Sequence, residues 1–422
     1  MGHFRLWATA CGVCLLLLLL TVGAPQAGHE HLALMYGVVP ADIALAGARA
    51  EGVAGPGAAF HNPAALADLA HNSLTPCYIY AQPFLRGGPA GKEYDFTEAN
   101  KVFSMSLGWP LGRMFEPDVP VGMGMNMLVD DNFSRIVAFD EVNEPRGQFK
   151  RYGIRSFALA HSLGGRVFEW LNVGVGYLMS YSAEVNLIQD VQITSSTENE
   201  QIRLTGAPTF SPLVSLQFKT RPVVVGLVWR GKVQAVVNPV TGFTTPKAGD
   251  TVIDEFPTIM QFKDSFTPNQ WVAAVGIAPG AIVSATLQAE AQLWAEFDDE
   301  VRRGNNSHRE ADLSGRDIFV PRVGVRYRPG GEWEVRAGYA YEPSPFDRVG
   351  SEDYAILDSP RHRVAAGAGF SVEPKWLDAP LSFDAAVPAL LLWPREKRTK
   401  DGQMLRSSGY VLGGALSMTW RY

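Results

Sequence analysis

Charged residues are scarce in this 422-residue chain: Asp, Glu, Lys and Arg make up 19%, against about 25% in soluble globular proteins. The 43 acidic residues outnumber the 37 basic ones, so the formal net charge is −6. A protein that neutralises phosphates needs a clustered basic surplus, and this balance therefore excludes nucleic-acid binding. Hydrophobic residues reach 46%, which excludes a chain disordered by composition.

Long apolar runs are also lacking beyond the N-terminus. Arg5, an apolar stretch at 11–22 and small residues ending at Ala27 form the pattern of a signal peptide over residues 1–27. That stretch has about twelve residues, fewer than the ~20 of an anchoring helix. No second run of ~18 apolar residues follows, so the exported chain is predicted to be either periplasmic or an outer-membrane barrel.

Cysteines and catalytic motifs are equally few. Cys11 and Cys14 form a CxxC inside the predicted signal peptide, which voids a redox or metal role. Cys77 then remains alone in the mature chain and excludes an intramolecular disulfide. The histidines show no HExxH spacing, and Gly55-Pro56-Gly57 lacks the lysine of a phosphate loop. We therefore predict neither an enzyme nor a cofactor or metal site.

What the chain does have is hydrophobic alternation with period two, which indicates β-strands. In 281–297 the apolar residues share one parity and the polar residues the other, with Trp294 as the single break. The segment 171–181 and a hairpin at 318–341, around Pro329-Gly330-Gly331, show the same pattern. Strands of such length suit a tilted membrane sheet better than a soluble one.

The alternation predicts fourteen strands in an all-β, transmembrane antiparallel β-barrel over residues 74–422. They lie near 74–85, 100–109, 120–129, 153–163, 169–185, 209–219, 222–235, 269–278, 281–297, 318–328, 332–341, 361–371, 381–391 and 409–422. The long polar links are predicted at 86–99, 130–152, 186–208, 236–268, 298–317, 342–360 and 392–408. Long outer loops, short periplasmic turns and an even strand count with both termini periplasmic are typical of bacterial outer-membrane barrels.

The last segment, 409–422, is amphipathic and ends on the aromatic Tyr422. It resembles the C-terminal assembly signal of bacterial outer-membrane barrels, although an ordinary terminal strand of a soluble sheet would share its alternation. The resemblance implies a place in the outer membrane, in contact with its lipid and lipopolysaccharide. It also implies the barrel-assembly machinery as a partner.

Residues 28–73 do not alternate and are rich in Ala and Gly. Asn62 is placed to cap a helix that has Pro63 at its first position and Ala64–Ala70 as its body. A compact segment of small residues ahead of a barrel indicates a plug in the lumen. A free periplasmic extension is the alternative.

Several of these segments resemble the FadL/TodX family of outer-membrane transporters. AGARA at 46–50 and GAAFHNPAALA at 57–67 are similar to its N-terminal hatch, with Ala65 where the family commonly has Gly. Three further segments resemble the family's later strands: FTPNQWVAAVGIAP, VPRVGVRYRPGGEWEVRAGYAYEPSPFDR and ILDSPRHRVAAGAGF. These matches occur in order and cover essentially the whole mature chain.

The resemblance implies ligand-gated, passive uptake of long-chain fatty acids or aromatic hydrocarbons, with lateral exit at a kinked third strand. The hatch or gating residues would be Asn62, Pro63 and Ala64. Gly122 and Gly124 are the candidates for the lateral opening, because glycine weakens strand pairing and permits a bulge. The alternative is a Gly-rich strand that fits around the plug.

The predicted lumen face carries arginines, and one of them is a candidate for binding a fatty-acid carboxylate through a bidentate hydrogen bond. The candidates are Arg322, Arg326 and Arg336, with Arg361 and Arg363 as further charges. The alternative is a structural charge lattice with Glu290, Glu332 and Glu334. The competing functions are a diffusion porin for small polar solutes, which the hatch-like segment disfavours, and a structural or adhesive barrel.

Overall fold

The computed structural model describes residues 37–91, 93–97, 99–112, 120–130, 151–152, 157–192, 198–220, 222–248, 251–252, 256–278, 282–296, 301–303, 307–309, 314–330, 332–348, 359–374, 379–398, 402 and 404–422. The predicted signal peptide, its cleavage site and residues 28–36 lie outside the described residues. Within the described ranges, no helix is long and apolar enough to cross a membrane.

Fourteen strands pair side by side into a closed antiparallel ring. Because β1 pairs with both β2 and β14, the described ring has no free edge. The predicted fourteen-stranded transmembrane barrel is confirmed. The strands are β1 Ser73–Pro89, β2 Asn100–Pro110, β3 Val121–Asp130, β4 Phe157–Phe168, β5 Leu171–Gln192, β6 Glu198–Thr220, β7 Val223–Arg230, β8 Gln270–Ile277, β9 Val283–Gln292, β10 Ile318–Gly330, β11 Trp333–Glu342, β12 Arg361–Val372, β13 Leu381–Arg398 and β14 Met404–Arg421.

Successive side chains of these strands point alternately outward and into the lumen. Trp271, Val387 and Leu416 are exposed on the outer face, where they would meet lipid. Gln217 and Glu290 are buried on the inner face. The alternation read from the sequence thus separates the lipid face from the lumen face.

The two ends of the ring differ in their connections. β1 begins and β14 ends at the same end, where only two residues, 169–170, 221–222 and 331–332, separate neighbouring strands. The longest links, 131–156, 231–269, 293–317 and 343–360, are all at the opposite end. There a strand at Val233–Ala248 pairs in parallel with the end of β5. The end with short turns is the one predicted to face the periplasm.

Several sequence-based boundaries are wrong. The predicted links at 236–268 and 392–408 are largely strand, at Val233–Ala248, at Phe256–Thr267 and in the ends of β13 and β14. The long polar link at 186–208 is mostly strand, because β5 and β6 stay paired and leave only 193–197 between them. Strand pairing needs no apolar face, so polar residues there concealed the strands. The strand at 281–297 stops at Gln292, and a 3-10 helix follows at Trp294–Glu296. Trp294 is buried there and donates to Gln292 at 2.7 Å, so the break in alternation marks the strand end.

Residues 37–72, called the inner segment below, pack inside the ring. Helix α1, Pro40–Ile43, contacts β12, β13 and β14. Helix α2, Ala58–His61, and a 3-10 helix at Pro63–Asp68 contact β3 and β4. Because these strands lie on different sides of the ring, the inner segment crosses the lumen.

Candidate functional site

Asn62 is fully buried and joins two parts of the inner segment. Its Oδ1 accepts a hydrogen bond from the N–H of Ala64 at 3.1 Å, and its Nδ2 donates to the carbonyl oxygen of Ala50 at 2.7 Å. The N–H of Ala64 also donates to Ser215 Oγ on β6 at 2.8 Å. The cap expected at Asn62 is therefore present, although the helix it begins is a 3-10 helix. A gating role for Asn62, Pro63 and Ala64 stays a prediction.

Glycines of neighbouring strands form the surface on which the 3-10 helix lies. A Cβ added at Gly122 on β3 would overlap the carbonyl oxygen of Leu66, and one at Gly164 on β4 would overlap that of Pro63. A Cβ at Gly124 would lie 2.8 Å from Leu66 Cδ2. β3 pairs with β2 and β4 without a register shift, so Gly122 and Gly124 form no bulge. Because they have no side chains, β3 lies directly against the inner segment at these two positions. A lateral opening at this point stays a prediction.

A buried charge cluster ties α1 to α2. Arg49 Nε lies 2.9 Å from Asp42 Oδ1, and His61 Nε2 lies 3.2 Å from Asp42 Oδ2. Both are ion-pair distances. Burial alone would raise the pKa of Asp42, but His61 and Arg49 outweigh it and lower that pKa below its ordinary value. Asp42 is therefore a carboxylate at neutral pH.

Two of the three candidate arginines connect the wall to the inner segment. Arg322 on β10 lies 3.0 Å from Glu290 of β9 and donates to the carbonyl oxygen of Ala46 at 3.1 Å. Arg326 pairs with Glu51 of the inner segment, and both side chains are buried. Each guanidinium is thus bound by a protein carboxylate, as in the structural charge lattice.

The other inward arginines pair within the wall. Arg336 on β11 lies 2.5 Å from Asp384 of β13 and also pairs with Glu334. Arg363 on β12 pairs with Glu342. The structure therefore does not bring Arg322, Arg326 and Arg336 together at one receptor. It distributes them over separate ion pairs.

Two polar side chains that hold the inner segment were not predicted from the sequence. Arg230 is the buried last residue of β7; it donates to the carbonyl oxygen of His61 at 3.1 Å, and its Cζ lies 5.3 Å from the ring centre of Phe60. Gln288 Oε1 on β9 accepts hydrogen bonds from the N–H groups of Arg49 and Ala50 at 3.1 and 3.0 Å. Both residues share the inward parity of their strands, which was the available signal.

One side of the lumen wall is apolar, and we call it the apolar arc. Its side chains are buried and pack with Val38, Ile43 and Phe60 of the inner segment. The apolar arc was not predicted from the sequence, because apolar residues of the strands were assigned to the lipid face. The signal was a run without alternation, AAVPALLLW at 385–393, in which both faces are apolar. The apolar arc consists of Cys77, Ile79, Ala81 and Leu85 of β1, Val102 of β2, Leu128 of β3, Ala386, Leu390 and Leu392 of β13, and Val411 and Ala415 of β14.

Comparison with known proteins finds an uptake protein and several transporters, although no family model matches the chain. Over 376 residues it is 23% identical to alkane uptake protein A of Marinobacter nauticus, a match that covers 82% of this chain and 80% of that protein. A Pseudomonas aeruginosa FadL homologue superposes with a TM-score of 0.61 at 14% identity, covering 91% of this chain and 98% of that one. The P. putida toluene transporter TodX gives 0.57 at 13%, covering 92% and 99%.

The chain has the FadL/TodX fold. The resemblance predicted from the sequence is thereby confirmed. The Ralstonia pickettii toluene transporter TbuX also superposes, with a TM-score of 0.58 at 13% identity over 92% of this chain and 99% of that one. The names of these proteins are those of uptake proteins and transporters, which agrees with the prediction that the chain is not an enzyme.

This FadL/TodX-type barrel contains a cavity of about 510 Å³ between the inner segment and β10–β14. It lies toward the end with short turns, because Ser73 and Arg421 line it. Leu69 and Ala70, which follow the 3-10 helix, also line it. The cavity therefore provides space beside the part of the inner segment that rests on the glycines.

Proposed function

We propose that this protein is an outer-membrane channel for the passive uptake of hydrophobic molecules, long-chain fatty acids or hydrocarbons. The observation that carries the proposal is the apolar arc inside the barrel. A water-filled porin gains nothing from a buried apolar wall, whereas an apolar solute gains ~25 cal/mol per Å² of surface that it removes from water. The inner segment across the lumen also argues against the alternative, a diffusion porin for small polar solutes.

Within this proposal, a neutral hydrocarbon fits better than a fatty acid. Arg322, Arg326 and Arg336, the residues considered as carboxylate receptors, are each paired with a protein carboxylate. Binding a fatty-acid carboxylate would require breaking one of these buried pairs, which is costly. The names of the relatives, an alkane uptake protein and two toluene transporters, also favour hydrocarbons.

The inner segment is the hatch in this mechanism, and the ligand opens it. An apolar molecule on the apolar arc competes with Val38, Ile43 and Phe60 for the same surface. A ligand shifts a conformational equilibrium by its difference in affinity for the two states. Asn62, Pro63 and Ala64 would hold the closed state. Asn62 ties the start of the 3-10 helix to Ala50, the N–H of Ala64 donates to Ser215 Oγ on the wall, and Pro63 is the first residue of that helix.

We infer that the ligand leaves laterally into the membrane, as the family resemblance implies. Exit beside Gly122 and Gly124 would require Leu66, which packs on both glycines, to move away from β3. Leu66 therefore covers this part of the wall in the closed state. The protein would reach the membrane through its signal peptide and the barrel-assembly machinery, which we propose recognises Tyr422, and would contact lipopolysaccharide there.

The test compares uptake of labelled hexadecane, toluene and oleate with permeation of sugars, in cells and in proteoliposomes. Val411→Thr places a hydroxyl on the apolar arc with little change in volume, and we expect it to reduce hydrocarbon uptake several-fold. Val364→Thr makes the same change on the outer face, where Val364 is exposed, and is the matched control. Rapid permeation of sugars without hydrocarbon uptake would reverse the assignment in favour of a porin.

A further inference from the structure

The wall of the barrel has a weak point inside the apolar arc, between β13 and β14. Their pairing holds up to Ala386 with Ala415 and resumes at Ala389 with Leu412. Pro388 lies in between and has no N–H to donate to the facing strand. Proline within a sheet is confined to edge strands and irregular positions, yet β13 has neighbours on both sides.

The residues facing this interruption are glycines. By the register of the two strands, Gly413 faces Pro388 and Gly414 faces Val387. A Cβ at Gly413 would lie 2.9 Å from Pro388 Cγ, so only glycine lets the proline ring approach this closely. A Cβ at Gly414 would meet nothing within 4 Å, which leaves a notch on the outer surface. No side chain of β14 therefore bridges the interruption.

A second proline interrupts the pairing on the other side of β14, and there a side-chain hydrogen bond joins the two strands. Pro76 of β1 breaks the pairing with β14 at Thr75 and Pro76. Here Thr75 Oγ1 donates to Thr419 Oγ1 at 2.9 Å, and this buried bond connects the two strands across the break. The interruption at Pro388 has no equivalent bond among the described residues, because glycine has no side chain to supply one.

Apolar surface lies on both sides of the interruption at Pro388. On the lumen side, Leu390 and Val411 of the apolar arc are fully buried. On the outer side, Val387 is 66% exposed and Leu416 64% exposed. A hydrocarbon passing here would exchange one apolar surface for another without meeting a charge or an unpaired polar side chain of either strand.

We propose that β13 and β14 separate at Pro388 to form the lateral portal through which a neutral hydrocarbon chain leaves the lumen for the membrane. This inference rests on the proposed function of hydrophobic uptake. The cost of opening is reduced here because one ladder hydrogen bond is already missing and no side-chain bond closes the break. At Gly122 and Gly124, by contrast, the ladder is continuous and Leu66 covers the wall.

A disulfide across the portal tests this directly. Val387→Cys with Gly414→Cys places two outward cysteines opposite each other, and Cα atoms of antiparallel partners are separated by ~4.5–5.5 Å, within the range of a disulfide. The control lock, Leu107→Cys with Met125→Cys, joins partners on β2 and β3 beside Gly124. Both are made in a Cys77→Ala background. Uptake of labelled hexadecane by cells is measured after oxidation and again after reduction.

We expect oxidation of the β13–β14 lock to slow hexadecane uptake at least about tenfold, and reduction to restore it. The control lock should take up hexadecane at the same rate in both states. Unchanged uptake in the oxidised β13–β14 lock would overturn the portal. Equal loss in both locks, or loss in the control lock alone, would overturn its position.

A second measurement does not depend on transport. In the purified protein, amide hydrogens on either side of Pro388 and at Gly413 and Gly414 should exchange at least about tenfold faster than those at the β1–β14 break around Pro76. Equal protection of the amides around Pro388 and around Pro76 would overturn the portal, whatever the uptake assay gives. If the unlocked protein takes up no hexadecane while this exchange difference is found, the proposed function is wrong and the weak point in the wall stands.

Discussion

Asn62 shows how much one buried side chain contributes to holding the inner segment in place. Asn62→Ala removes a helix cap, which costs ~1 kcal/mol. It also leaves the buried carbonyl of Ala50 without its donor, which costs ~1–3 kcal/mol. We expect sugar leakage into proteoliposomes to rise while the barrel still assembles. Asn62→Ser keeps a capping oxygen and should leak less. Equal leakage in the wild type and Asn62→Ala would contradict a role in closure.

Asp42 makes the inner segment sensitive to acid. Its folded-state pKa lies below the ordinary value of 3.8, so ionised Asp42 stabilises the fold fully above that pH. This contribution is lost as the pH falls through the lowered pKa. Sugar leakage of the wild type should therefore rise below pH 3.8, whereas Asp42→Asn should leak at neutral pH and respond little to acid. Glu396→Gln, at an exposed pair with Arg406, is the control and should behave as wild type.

At the scale of elements, the glycines of β3, β4 and β5 decide whether the 3-10 helix can rest on the wall. Gly164 and Gly165 are neighbours on β4, but only Gly164 faces the helix. Gly164→Ala should displace the helix and raise leakage, because its Cβ would overlap Pro63. A Cβ at Gly165 would lie 3.7 Å from Val121 Cγ2, an ordinary contact, so Gly165→Ala should be silent. Equal sugar leakage of the two variants would contradict the conclusion that the 3-10 helix rests on Gly164.

The elements also show what sequence could predict. Strands such as β10 and β11 alternate because one face meets lipid, and this alternation can be recognised in consecutive residues of the sequence. The pairing of Arg326 with Glu51 cannot be predicted from neighbouring residues, since 275 positions separate the two residues and only the closed ring brings them together. The apolar arc stayed hidden for a related reason. An inward apolar residue has the same composition as an outward one, and only failed alternation distinguishes them.

At the scale of the whole molecule, ring closure depends on the last strand. β14 pairs with β1 from Ser73–Arg421 to Pro89–Leu405. Its final residue adds a bond, since the N–H of Tyr422 donates to the carbonyl oxygen of Asn72 at 3.0 Å. The Tyr422 ring lies 4.5 Å from that of Trp420, which places two aromatic rings together at the membrane edge. Closure therefore joins the first and last strands at the end with short turns.

Because a closed ladder leaves no edge to solvate, the wild type should resist unfolding in cold SDS and change its migration only after boiling. Deleting Tyr422 should lower the amount of folded barrel in the outer membrane, since the proposed assembly signal and the bond to Asn72 are both lost. The molecules that do fold should stay resistant to SDS, because the remaining ladder between β1 and β14 is unchanged. Tyr422→Phe keeps the aromatic ring and the backbone bond and should assemble normally. A soluble periplasmic product from the wild type, or full assembly of the deletion, would refute this account of how the barrel closes.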